Sequence, residues 1–83
     1  AKPASGRLVL DEGARDAILT GGRSLLAVGV AECEGAFEEG DAVELVALDG
    51  TPIGKGIAGA AAAELRGRPR GVEAVHRDRL VLY

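Results

Sequence analysis

The most chemically suggestive stretch of this chain is His76-Arg77-Asp78. That tripeptide opens the catalytic loop of protein kinases, where the Asp accepts the proton of a substrate hydroxyl. The same loop needs an Asn five residues beyond the Asp to hold a second magnesium ion, and here Tyr83 stands there. No Gly-rich G-x-G-x-x-G-x-V segment and no D-F-G accompany it, and 83 residues cannot hold a protein kinase domain. The triplet is therefore not read as a catalytic loop.

Other candidates for chemistry fare no better. His76 and Cys33 are the single residues of their types, too few for a structural zinc site without several carboxylates. Ser5, Ser24, Thr20 and Thr51 lack a His and an acid at a spacing that would activate a hydroxyl. Glu38, Glu39 and Asp41 read as a solvated turn rather than a metal site. Gly54-Lys55-Gly56 lacks the flanks of a phosphate-binding loop. The expectation is a domain with no catalytic residues, no metal and no cofactor of its own.

Composition bounds the rest. Apolar residues make up 47% of the chain, but Phe37 and Tyr83 are its only aromatics, so the core must be Val, Leu, Ile and Ala. A lone Cys33 allows no internal disulfide and is expected to be a buried structural thiol, in keeping with a reducing compartment. No apolar run is long enough to span a bilayer and no secretory signal pattern occurs, so a cytoplasmic location is expected. Net charge is −3, unevenly spread. Glu32 to Asp49 holds seven acids and no base, while Arg66 to Arg79 holds five arginines and His76 against Glu73 and Asp78. A polyanion can approach only the second region. Both regions can equally be ordinary solvated faces.

These residues sit on short elements. Leu8-Val9-Leu10 reads as a strand, Asp11 as the N-cap of a helix with Ala14, Ala17 and Ile18 inward, and Gly21-Gly22 as its stop. Leu26, Val28 and Val30 alternate on one face, and the parity then changes to Ala31 and Cys33, as a bend at Gly29 would produce. Phe37 is expected to plug the turn that follows. Ala42–Leu48 and Thr51–Gly59 read as a hairpin closed by Asp49-Gly50, with the glycines at 54, 56 and 59 marking curvature or close backbone approach. Ala60–Arg66 reads as a short helix and "GRPRG" as a loop. Val72–His76 and Leu80–Leu82 are expected as two final strands joined by a turn at Arg77-Asp78-Arg79, with Asp78 capping that turn or pairing with an arginine. The fold class is mixed α/β but mainly β: a pseudo-barrel of about six short strands with one or two short helices.

The segments "GRLVLDEGARDAIL", "SLLAVGV", "EGAFEEGDAVELV", "DGTPIGKGI" and "VHRDRLVLY" occur in the order expected of a PUA domain. Together they resemble the PUA domain that follows the kinase domain in bacterial glutamate 5-kinases, from Gly6 to Leu82. The resemblance implies a single PUA-like domain over residues 1–83, with 1–5 as a linker or terminal remnant. It also implies an amino-acid-kinase domain N-terminal to it, holding ATP, magnesium and glutamate. The chain departs from the pattern at "AGAAAAELRGRPRG", which is shorter than its family counterpart and has no Tyr. Three functions are then open. One is an accessory domain that contacts its kinase domain or a neighbouring subunit. Another is an RNA-binding module, for which the resemblance points to Gly21, Gly22, Arg23, Ser24, Arg15, Arg77 and Arg79. The third is a free-standing interaction module. Arg68 and Arg70, flanking Pro69, complete the candidate contacts with RNA or with acids of an adjoining domain.

Overall fold

The computed structural model describes residues 5–83. Its elements run β1 (Gly6–Leu10), α1 (Glu12–Gly21), β2 (Leu25–Leu26), a 3-10 turn (Ala27–Gly29), β3 (Val30–Gly35), β4 (Ala42–Ala47), β5 (Pro52–Ala58), α2 (Ala62–Leu65) and β6 (Glu73–Leu82). The strands form one curled sheet in the order β2-β6-β5-β4-β1-β3, in which only β1 and β4 run parallel. This is the half-barrel expected from the pattern of short strands and turns.

Local signals explain most boundaries. The Asp11 carboxylate accepts the Ala14 N–H at 2.8 Å, satisfying one of the orphan donors of α1, a contact worth about 1 kcal/mol. Gly22 ends the helix in the left-handed region, at φ 59°. Gly50 turns the β4–β5 hairpin at φ 88°, a conformation that most side chains resist. Phe37 is buried as a plug, with Leu8, Leu10, Leu25, Leu45, Leu65, Val30, Val43 and Val75 completing the core. Gly54, Gly56 and Gly59 lie against the β6 backbone, where an added Cβ would meet Val81, Arg79 and Glu73 carbonyl oxygens respectively. The curvature read into those glycines is real close approach.

Asp49 shapes the hairpin as well. Its carboxyl is held below the usual range, first by a side-chain hydrogen bond with Thr51 and then by the Thr51 N–H, which it accepts at 2.9 Å. A depressed carboxylate stabilises the fold above its unfolded pKa, and the contribution disappears as pH falls through the folded value. The Thr51 amide resonance is therefore expected to titrate with a midpoint below the ordinary aspartate value of about 3.9. A midpoint at or above that value would show that the contact does not persist in solution.

Three expectations need correction. Leu26 and Val28 are exposed, while Leu25 and Ala27 are buried. The stretch is not one strand, because the chain leaves β2 after two residues and winds into the 3-10 turn. That turn is fixed by Asp11 N–H on Gly29 C=O (3.0 Å) and Ala27 N–H on Val72 C=O (2.9 Å), and the bend predicted at Gly29 lies within it. Next, the two closing strands are one. β6 runs unbroken, but Ala58 pairs with Val75 and Gly56 with Leu80, so His76 to Arg79 face the single residue Ile57. The predicted turn is a large irregular bulge inside a strand. Lastly, Asp78 neither caps a turn nor meets an arginine. Its N–H donates to His76 Nδ1 at 3.1 Å, and its carboxylate lies 3.7 Å from the same nitrogen.

Candidate nucleic-acid or partner interface

The bulge in β6 and the loop after α1 are held together by one long-range bond. Arg77 N–H donates to Ser24 Oγ at 3.0 Å. Ser24 reaches it because Gly22, in the left-handed region, turns the chain sharply off α1. Arg23 and Arg77 then line one shallow depression with Ser24, Leu26, Glu73 and His76. An adjoining groove runs along α1, lined by Ala14, Ala17, Leu26 and Val28 and rimmed by Asp11, Arg23 and Ser24. The combined surface is cationic at one end and apolar along its floor. Guanidinium forks beside exposed backbone suit phosphate or carboxylate oxygens. Glu73, within the same depression, opposes any polyanion.

Other candidates lie elsewhere. Arg15 is 3.3 Å from Asp16 and lines a separate hollow with Leu10, Glu12, Leu48 and Asp49. Arg68 is committed to its own domain: its guanidinium donates to Val28 C=O and lies 3.8 Å from Asp11, with the backbone at φ 50°. It serves within the domain as a clamp between the "GRPRG" loop and the start of α1. Arg66 acts in the same way, donating to Gly35 C=O. Arg70 and Arg79 are exposed and make no ion pair among the described residues. Gly21 closes α1 beside Arg23. The structure thus gathers Gly21, Gly22, Arg23, Ser24 and Arg77, and leaves Arg15 and Arg68 outside the cluster.

The acidic stretch is also partly committed. Glu34 and Glu44 flank Arg7 at 3.6 and 3.5 Å across β3, β1 and β4. Cys33 is half-buried, its Sγ 3.9 Å from Ala62 C=O, and burial raises its pKa against the opposing pull of Arg66. A raised pKa keeps it a thiol at neutral pH, as expected of a structural cysteine. No local signal marks Leu26 and Val28 as facing outward here. Strand alternation had grouped them on one face with Val30, which is buried, and the 3-10 turn separates them from it.

Comparison with known proteins agrees with this architecture. The PUA domain model matches residues 6–78. The glutamate 5-kinases of Deinococcus radiodurans and Dictyoglomus thermophilum are 43% and 40% identical to this chain over 99% of its length. The chain spans about a quarter of each, 26%. Among solved structures, a PUA domain from Aeropyrum pernix, crystallised as a tartrate complex, superposes with a TM-score of 0.71 at 34% identity. That alignment covers 88% of this chain and 43% of the other. A conserved PUA domain protein from Thermoplasma acidophilum gives a TM-score of 0.77 at 29% identity, over 96% of this chain and 50% of that one. With the family model matched from the first strand of the half-barrel to the bulge in its last, the chain belongs to the PUA domain family.

Proposed function

We propose that this chain is the non-catalytic PUA domain of a glutamate 5-kinase, a cytoplasmic enzyme that phosphorylates L-glutamate with ATP in proline biosynthesis. The observation that carries this reading is the identity of about two residues in five with such kinases, sustained over 99% of the chain. Glutamate, ATP and magnesium would be held by the remaining three quarters of the longer protein. The domain's own part is contact with that catalytic portion, or with a neighbouring subunit, and through it control of assembly and of the response to proline. Surfaces of both signs, acidic around Glu38–Asp41 and basic at Arg23 and Arg77, suit a protein contact. Removing the segment from the longer enzyme is expected to change proline inhibition or subunit assembly while leaving glutamate phosphorylation measurable. Unchanged inhibition together with unchanged assembly would overturn the proposal.

RNA binding is the second reading, favoured by the convergence of Arg23 and Arg77 on one depression. It predicts tRNA affinity that weakens steeply with salt and is lost in the Arg23→Ala/Arg77→Ala pair. Absence of binding at low salt removes it.

A further inference from the structure

The two edges of the sheet are treated differently. The β3 edge is covered: Arg66 donates to Gly35 C=O and Cys33 packs under Ala62. At the other end β2 is only two residues long and pairs with β6 at Glu73 and Val75 alone. From the bulge onward β6 has β5 on one side and, among the described residues, no strand on the other. Tyr83 N–H donates to Ile53 C=O at 3.0 Å, so Tyr83 and, by alternation, Val81 and Arg79 turn their backbone groups toward β5. The N–H and C=O groups of Leu80 and Leu82 then face outward. The side chains there are apolar and open: Val81 is 57% exposed, Leu82 41% and Tyr83 68%. An exposed apolar edge of this kind is a template for an added strand.

We propose that the occupant is a second copy of this chain, with β6 pairing antiparallel to β6 of its partner around a two-fold axis at Val81. The sequence Arg79-Leu80-Val81-Leu82-Tyr83 is complementary to itself in that register. Leu80 of each copy lies opposite Leu82 of the other, and these are the residues whose outward N–H and C=O groups can exchange bonds. Val81 meets Val81 as a non-hydrogen-bonded pair, the closer kind, with Cβ atoms about 4.5–5.5 Å apart. Arg79 falls opposite Tyr83, on the same face as Val81, and its guanidinium can cover the phenol ring. No arginine faces an arginine. Shifting the axis to Leu80 leaves Tyr83 opposite Arg77 in the bulge and Leu82 opposite Asp78, whose N–H is already donated to His76. The Val81 register is the one that uses every outward group of the edge. Isologous pairing of this kind closes on itself and leaves no further edge to propagate.

The test uses the chain in a Cys33→Ser background, at increasing concentration, by sedimentation velocity. A monomer–dimer equilibrium is expected, and Val81→Lys is expected to raise its dissociation constant about tenfold or more by setting two like charges opposite each other. Val81 is exposed but lies opposite Lys55 on β5. Val81→Glu, which sets the same like charges across the axis and meets a lysine of opposite sign in its own sheet, is therefore the companion variant. It is expected to weaken the dimer alike while keeping its far-UV spectrum and melting temperature. In a glutathione redox buffer Val81→Cys is expected to form a disulfide-linked dimer, and Leu80→Cys, which meets Leu82 instead of itself, is not. A monomer at every concentration, a dimer indifferent to Val81→Lys, or equal cross-linking of both cysteine variants would each overturn the proposal.

Discussion

Phe37→Ala is expected to remove a large share of the stability of this domain. The ring is 2% exposed and is the largest of the fully buried side chains. It packs so closely on Gly6 that a Cβ there would strike the ring. The same residue accepts the Ala62 N–H through its carbonyl at 3.0 Å, tying the start of α2 to the β3–β4 turn. With one aromatic in an otherwise aliphatic core, no neighbour is large enough to fill the space it leaves. Phe→Ala at such a site costs about 3–5 kcal/mol. A domain of this length is stable by only about 4–12 kcal/mol on the usual per-residue scale. Urea denaturation is the measurement: a large fall in midpoint with the slope unchanged is expected. A loss below about 1 kcal/mol, the size of an ordinary surface or capping change, would show that Phe37 does not plug the core.

Gly54→Ala is the second large effect, with a different cause. The methyl group would enter the β5–β6 contact, meeting the Val81 carbonyl oxygen and coming within 3.1 Å of Leu82 Cα. Both are backbone atoms held in the ladder, so no side-chain rotation relieves the clash and the two strands must separate. Overpacking of this kind costs about 1–3 kcal/mol. Amide exchange at Lys55, Val81 and Tyr83 is expected to accelerate first, because their bonds cross that contact. Gly67→Ala is the control: its nearest neighbour would be Glu64 C=O at 3.5 Å, ordinary contact, so little change is expected. If both variants melt alike, close approach at Gly54 is not what the glycine is for.

The legible parts of the fold were those fixed within a few residues. The Asp11 cap, the Gly22 stop and the Asp49-Gly50 turn each rest on chemistry between near neighbours, and the Phe37 plug on its being the one large apolar ring of its region. The failures came where a distant partner decides the outcome. Arg77-Asp78-Arg79 has the composition of a turn, yet β5 pairs with the residues on either side of it, Val75 and Leu80, so it becomes a bulge within one strand, and Ser24, remote in sequence, takes the Arg77 amide. Leu26 and Val28 alternate as a strand should, yet Val72 and Asp11 wind that segment into a helical turn. Arginine counting misses a related effect. Arg66 and Arg68 spend their guanidinium groups on backbone carbonyls of their own domain, and a charge tally cannot see this. Of the candidate contacts, Arg23, Ser24 and Arg77 lie together in one depression, a convergence that no local pattern in the sequence marks.

The parallel pairing of β1 with β4 places the first strand inside the sheet, with β3 on its other side. The last strand, by contrast, is held on one side only beyond its bulge. The two ends of the domain therefore differ mechanically. A pull on the N-terminal side loads two ladders in shear along the whole of β1, where many bonds must fail together. A pull at Tyr83 peels β6 from β5 one bond at a time. Under tension the domain would yield from its C-terminal side while staying fastened at the other.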